Sequence, residues 1–358
     1  MSMEADTAPR GSRVGRALRR LAGPIREARG MPRIVLWVGT AITAGYILLA
    51  IFAPWIAPYG YAQYQTEAGE RFGKHLPPSA DHLFGTTVQS TDVFSRVVWG
   101  ARTEVEVVIL AVIFSLAIGL PVGLISGFRG GVLDRVLVLI MDALFAFPYL
   151  LLAIVIAFLL SDVLASGVLT AAIAISVVYV PQYFRVVRNH TISVREEPFV
   201  EAARALGARP RVIVTRYVLA NVVQSVPVVG TLNAADAILT LAGLGFLGYG
   251  IQPTEGAEWG YDLQRAIADA GAGIWWTGLF PGIAIVTLVT GLTLLGEGLN
   301  DVLNPLLRPR RTEPVVLPES PMAAEAGSEA PDETAAEPAT GGAATGAGAA
   351  TGAGAARR

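Results

Sequence analysis

The sequence predicts an all-α membrane protein with six transmembrane helices. Of its 358 residues, 53% are hydrophobic and only 16% are charged, whereas a soluble domain carries about 25% charged residues. The hydrophobic residues are concentrated in runs of about 20, the length of α-helix that crosses the hydrocarbon core of a bilayer. Cysteine is absent, which excludes disulfide frameworks, cysteine nucleophiles and thiolate metal sites.

Six hydrophobic runs define the predicted spans. The first run is too long for a cleaved signal peptide and lacks a small-residue cleavage site. The third run contains Asp142 and Pro148, and the fifth is the best-defined part of a longer apolar stretch. The six spans are predicted, in chain order, at residues 34–53, 105–125, 136–160, 163–184, 222–242 and 277–295.

Basic residues are distributed unequally between the two sides of the membrane. Of the 27 Lys and Arg residues, 20 flank the spans on the side of the two chain ends and five lie on the other side. By the positive-inside rule, both termini are predicted to be cytoplasmic. The predicted organisation is a basic cytoplasmic segment (1–33), a membrane domain (34–308) with an external loop (54–102) and a cytoplasmic loop (185–216), and a cytoplasmic tail (309–358) whose composition predicts disorder.

The cytoplasmic loop contains the pattern of a short helix. Pro198 suits the first turn of a helix, and Gly207 suits a left-handed residue just after its end. Phe199, Ala203 and Leu206 fall on one face by helical spacing. Such a helix can insert into a groove of another protein or rest on lipid, and its geometry alone favours neither.

The same segment resembles the EAA motif of the permease subunits of bacterial ABC importers. The matching residues are Glu201-Ala202-Ala203, Gly207 and Leu219, although Ala220 stands where the family usually has proline. The resemblance implies that this segment is the coupling helix that docks into an ATPase subunit. The residues that it implicates in this coupling are Phe199, Glu201, Ala202, Ala203, Leu206 and Gly207.

Further signatures resemble the C-type subunit of dipeptide, oligopeptide and nickel importers. They cover residues 35–308 and depart from the family pattern mainly before the second span, at residues 85–92. In chain order they are Ser95-Arg96 with Gly100-Ala101-Arg102, Asp142-Ala143 with Ala146-Phe147-Pro148, Gly245-Phe246-Leu247-Gly248 with Gln252-Pro253 and Trp259-Gly260, Trp275-Trp276 with Phe280-Pro281-Gly282, and Leu295-Gly296-Glu297-Gly298-Leu299 with Asn304-Pro305.

This resemblance implies a type I ABC importer permease fold over residues 34–308, in the bacterial inner membrane. It also implies four kinds of partner: a homologous second permease, two ABC ATPase subunits, an extracytoplasmic substrate-binding protein and a peptide substrate. ATP would be bound by the partners, because the single lysine, Lys74, is followed by His75 and forms no Gly-Lys-Ser/Thr loop. The net charge of −2 gives no indication of nucleic-acid binding.

Polar residues inside the spans keep two other functions open. Asn233 and Asp236 lie deep in the fifth span and are predicted to line the pathway or to cap a broken helix, whereas Asp142 and Glu297 lie near cytoplasmic ends. A secondary transporter would use such carboxylates without an ATPase, but no clear internal repeat is present. A membrane-embedded enzyme would need a catalytic constellation, which the spans lack. The three histidines are interpreted as solvated surface residues.

Overall fold

A computed structural model describes residues 31–303 of the chain. This part of the chain is helical, and its extended pairings are two isolated bridges, Gln65 with Arg71 and Thr86 with Asp92. The helices are α1 (Met31–Ile56), α2 (Val93–Arg129), α3 (Gly131–Ala146), α4 (Tyr149–Ser161), α5 (Gly167–Arg195), α6 (Pro198–Ala205), α7 (Pro210–Phe246), α8 (Trp259–Gly271) and α9 (Trp276–Leu303).

Five of these helices are long and apolar enough to cross a membrane: α1, α2, α5, α7 and α9. Helices α3 and α4 pass the same test only as a pair, and they are bent by 96° with respect to each other. Counting this bent pair as one span brings the number to six. The predicted all-α membrane fold is therefore confirmed.

The prediction of one continuous third span, 136–160, is wrong. Helix α3 ends at Ala146, and Phe147 adopts an extended conformation with φ −73° and ψ 141°. The cause is Pro148, whose ring disfavours helical geometry at the preceding residue and which lacks the N–H that a continuing helix would need. Helix α4 starts directly after this proline, at Tyr149, so the break produces two helices and a cleft between them.

Two helices begin at residues other than those predicted, and side-chain caps explain where they begin. Helix α2 begins twelve residues before the second predicted span because the Asp92 carboxylate accepts hydrogen bonds from the Ser95 N–H (2.8 Å) and hydroxyl (2.7 Å). Residues 93–102, predicted to be in the external loop, are therefore helical. Likewise α5 starts at Gly167, after a Ser166 cap, and continues through 185–195 of the predicted cytoplasmic loop.

Helices α2 and α5 pack closely through three glycines spaced four residues apart. Gly119, Gly123 and Gly127 lie on the face of α2 that meets α5. A Cβ atom at Gly123 would lie 2.9 Å from the Val187 side chain, and one at Gly127 would lie 2.8 Å from the side chain of Thr191. The absence of side chains here brings the two backbones together, as in other small-residue interfaces between membrane helices.

The segment between α1 and α2 is folded, and it corrects the interpretation of the histidines as solvated. The His82 ring is buried beside Tyr59 and Phe72, and its Nδ1 lies 2.9 Å from Asp92 Oδ1. His75 is only partly exposed, and its Nε2 lies 3.0 Å from Oδ1 of Asp269 in α8. The histidines of this segment therefore fasten it to the ends of two helices.

Candidate functional site

Helix α6 is short, and its ends are defined by local backbone chemistry. Pro198 occupies its first position. At the other end the Ala208 N–H donates to the Ala203 carbonyl (3.0 Å) and the Gly207 N–H donates to the Arg204 carbonyl (2.9 Å). This pair of bonds is the Schellman arrangement, which requires a left-handed residue. Gly207 has φ +78°, so the predicted left-handed conformation is confirmed.

The inner face of α6 packs on its own chain through Val200 and Ala203. Both side chains are buried in a cluster with Ile213, Val218 and Val222 of α7. The prediction that Ala203 shares one outward face with Phe199 and Leu206 is therefore wrong. The physical reason is that two apolar positions three residues apart, 200 and 203, are needed to seat so short a helix against α7.

The outer face of α6 is apolar at its tip and acidic at its start. Leu206 is 88% exposed and Phe199 is 42% exposed. Glu201, Ala202 and Gly207 are also exposed, so five of the six residues implicated by the motif are accessible, and Ala203 is not. Leu206 has the highest exposed fraction of all the large hydrophobic side chains in the part of the chain that the structure describes.

Two arginines join α6 and the end of α5 to the end of α2. The Arg195 guanidinium donates to the Gly127 carbonyl of α2 (2.8 Å). The Arg204 guanidinium lies 5.9 Å from the centre of the Phe128 ring. Helix α6 is thus connected to α7 by packing and to the end of α2 by Arg204, and Arg195 joins the end of α5 to the same end of α2.

The two polar residues predicted in the fifth span have different surroundings. Asn233 is buried inside the chain, with 3% of its surface exposed. Asp236 is exposed and lines a cleft of about 470 Å³ beside the α3–α4 break. The cleft also contacts Phe147, Tyr179 and Gln182. Of the two residues predicted to line the pathway, Asp236 therefore faces a cleft, whereas Asn233 is enclosed in the protein interior.

The other acidic residues of the spans lie elsewhere. Asp142 forms an ion pair with Arg185 (2.7 Å), and both side chains are about half exposed. Glu297 is exposed on α9. Arg185 of α5 therefore neutralises the Asp142 carboxylate.

Sequence reasoning missed a buried charged cluster between α2 and α8. Arg96 holds Asp262 through Nη2–Oδ1 (2.6 Å) and Nε–Oδ1 (2.9 Å) contacts. Next to this pair, Glu104 and Glu258 are fully buried, and Glu258 caps α8 by accepting the N–H groups of Gly260 and Tyr261 (both 2.7 Å). Arg96 fell in the predicted external loop and Glu104 just outside the predicted second span, positions where burial is not expected.

Burial controls the ionisation of this cluster. Desolvation raises the pKa of Glu258 to about 8, partly opposed by the two backbone N–H groups that stabilise its charged form. Desolvation also raises the pKa of Asp262, and the charge of Arg96 opposes that increase. With this raised pKa, Glu258 is mostly protonated at neutral pH, next to the buried Glu104.

A family model for the inner membrane component of binding-protein-dependent transport systems matches residues 119–309, more than half of the chain. The chain belongs to this family. A second model, the N-terminal transmembrane domain of oligopeptide transport permease C, matches residues 35–78. The match of the first model includes α6, so the segment interpreted as a coupling helix lies in the shared domain. The chain is therefore a multi-pass membrane subunit of a transport system that depends on a binding protein.

Individual relatives in this family cover most of the chain. The dipeptide transport permease DppC of Alkalihalophilus pseudofirmus is 40% identical over 76% of this chain and 86% of its own length. The glutathione transport permease GsiD of Escherichia coli is 38% identical over 73% of this chain and 83% of its own. A crystal structure of the MetNI methionine ABC transporter aligns over 58% of this chain and 96% of its own, with 23% identity and a TM-score of 0.47. The two family models and the relatives at 40% and 38% identity confirm the resemblance to the permeases of dipeptide and oligopeptide importers.

Proposed function

We propose that this chain is a permease subunit of an ATP-driven importer that takes up peptides across the bacterial inner membrane. It forms half of the pathway, and a homologous second permease forms the other half. Two ABC ATPase subunits bind its cytoplasmic side, and an extracytoplasmic substrate-binding protein delivers the peptide. The ATP is bound and hydrolysed by the partners, and this chain supplies no ATPase site. The dipeptide and glutathione permeases among its relatives support a peptide cargo.

The single observation that carries the proposal is the exposed apolar surface of α6, formed by Phe199 at its start and Leu206 at its end. Leu206 and Phe199 are accessible apolar side chains on a helix that is otherwise seated against the chain. Glu201 is an exposed charged residue of the same helix. An exposed apolar anchor on a short helix outside the membrane helices suits a groove in a soluble ATPase subunit.

The proposed mechanism is alternating access. When ATP closes the ATPase pair, each ATPase moves the α6 helix that it holds. Because Val200 and Ala203 pack on α7, and Arg195 and Arg204 contact the end of α2, this displacement reaches the membrane helices. The role of Gly207 is to set the direction in which the chain leaves α6. Both termini and α6 are cytoplasmic in this arrangement.

The proposal predicts that Leu206→Glu removes the ATPase subunits. Leu206 is 88% exposed, so the substitution costs the folded chain less than about 0.5 kcal/mol. It places a charge in the apolar groove, and recovery of the ATPases should fall by about tenfold or more, as at other interface anchors. The measurement is co-purification of the second permease and the ATPases with the tagged chain.

Ile267→Glu is the matched control, because Ile267 is also a largely exposed aliphatic residue (60%) but lies on α8. This variant should recover both partners as the wild type does. Equal recovery of the ATPases with Leu206→Glu and with the wild type would remove α6 from the interface. A wild-type chain that brings down no ATPase at all would contradict the proposed function itself.

A further inference from the structure

Asp236 is a charged residue inside α7, one of the helices that are long and apolar enough to cross a membrane. It precedes the end of α7, Phe246, by ten residues, or about 15 Å of helix. That distance is half the roughly 30 Å thickness of the hydrocarbon core. A carboxylate near the midplane is costly against lipid, so such residues face a water-filled pathway, a ligand or a charged partner.

Within residues 31–303, no group donates a hydrogen bond to the Asp236 carboxylate. The Thr240 hydroxyl gives its single hydrogen to the Asp236 backbone carbonyl (2.9 Å). The Tyr179 hydroxyl therefore donates to Thr240 (2.9 Å) and is not available to the carboxylate. Asp236 is also the one charged side chain among the residues that line the cleft within the described chain. The guanidinium of Arg185, which lies over an aromatic ring of the cleft, is paired with Asp142 and not with Asp236.

The walls of the cleft suit an organic cation. Three aromatic residues from the α3–α4 break, Phe145, Phe147 and Tyr149, line it. Aromatic faces attract cations, and the guanidinium of Arg185 already lies 4.0 Å from the centre of the Phe145 ring. Gln182 adds an amide that can bond to a peptide group.

The size and donor set argue against a bare metal ion. The cleft measures about 470 Å³, within the roughly 300–1,000 Å³ that small-molecule sites occupy. Hard divalent cations require about six oxygen ligands. Asp236 is the only carboxylate that lines this cleft in the described part of the chain, where no group of three or more His, Asp and Glu residues is placed to hold a metal ion.

We propose that Asp236 and the aromatic residues of the α3–α4 break form a subsite for the ammonium group of the transported peptide. The subsite holds the amino terminus while the Gln182 amide bonds to the first peptide group. This assignment rests on the proposed import of peptides and adds to it the group that the chain selects. Its consequence is that peptides with a blocked amino terminus pass this subunit poorly.

The test is a titration of the purified complex, in lipid nanodiscs, with alanyl-alanine and with N-acetyl-alanyl-alanine. The wild type should bind the free peptide at least about tenfold more tightly than the acetylated one, a difference typical of one charged hydrogen bond. Asp236→Asn should remove this preference by weakening only the free peptide. Asp236→Glu, which keeps the charge, should restore most of it. Glu106→Gln, an exposed acid on α2 outside the cleft, is the control and should bind as the wild type does.

Three outcomes would overturn the subsite while leaving the proposed function intact. The first is a wild-type complex that binds both peptides equally or binds neither. The second is unchanged affinity for alanyl-alanine in Asp236→Asn. The third is loss of the second permease from the Asp236→Asn complex, which would make Asp236 half of an ion pair between the two permeases. Absence of ATPases from the wild-type preparation would instead contradict the proposed function.

Discussion

Helices α6 and α8 both end in a Schellman arrangement around a left-handed glycine, Gly207 with φ +78° and Gly273 with φ +79°. Neither glycine has a neighbour where a side chain would lie. Their surroundings differ. Helix α8 inserts the fully buried Trp259 against α2, where its indole N–H donates to the Val97 carbonyl (3.1 Å). Helix α6 seats only Val200 and Ala203 and leaves its tip exposed.

This difference shows that the same C-terminal arrangement can end a helix that is fixed to the chain and a helix that leaves a surface exposed. The N-terminal half of α8 is fixed to the chain by Trp259, by the Arg96–Asp262 pair and by the side-chain cap of Glu258. Helix α6 has no side-chain cap at its start and makes no buried ion pair in the described chain. We therefore expect substitutions in α8 to reduce stability, and substitutions at the tip of α6 to reduce coupling.

The largest expected effect comes from breaking the attachment of α8. Arg96→Ala leaves Asp262 buried without its partner, and removing one member of a buried ion pair costs about 3–5 kcal/mol. The purified chain should unfold at a markedly lower temperature and reach the membrane in smaller amounts. Arg102→Ala, at an exposed position on the same helix, should change neither quantity. Equal melting temperatures for Arg96→Ala and Arg102→Ala would show that α8 is held by Trp259 alone.

A smaller effect should follow from pH. Unfolded Glu258 ionises near its ordinary pKa of 4.5, whereas the folded residue stays protonated up to about 8. Between these values the folded state binds more protons than the unfolded state, so its stability falls as pH rises, by at most about 1.4 kcal/mol per pH unit. The melting temperature of the chain should therefore be lower at pH 8 than at pH 6.

Glu258→Gln should flatten this dependence, because the amide oxygen of the new side chain can still accept from the backbone of α8 and the amide does not titrate. Glu106→Gln, exposed on α2, should leave the dependence as it is in the wild type. An unaltered slope in Glu258→Gln would mean that other groups control the stability of the chain in this pH range.

The smallest change in stability is expected from the glycines themselves, and it sharpens the comparison most. Valine in a left-handed conformation costs roughly 1–2 kcal/mol, at Gly207 and at Gly273 alike. Both variants should insert at near-normal abundance. Gly207→Val should abolish peptide uptake, because the changed exit direction displaces α6 from the ATPase, whereas Gly273→Val should retain most of it. Uptake that is equal in the two variants at matched abundance would remove the special role of Gly207.

Several elements were predictable because they depend on neighbours in sequence. Hydrophobic runs of bilayer length identified the membrane helices. Pro198 marked the start of α6, and Gly207 marked its end. The break at Phe147 was missed although Pro148 was visible, since a proline can kink a membrane helix without ending it. The orientation of Ala203 was missed because periodicity defines a face but not what covers it.

The sequence by itself determined that this chain crosses a membrane, which segments cross it and which family it resembles, because these depend on composition, run length and short motifs. Only the tertiary structure decided that Asp236 faces a cleft while Asn233 is enclosed, and that Glu104 meets Glu258 more than 150 residues away. Those facts follow from how α2, α5, α7 and α8 pack. A residue's polarity is local, whereas the dielectric and the partners that give it a role come from distant parts of the chain.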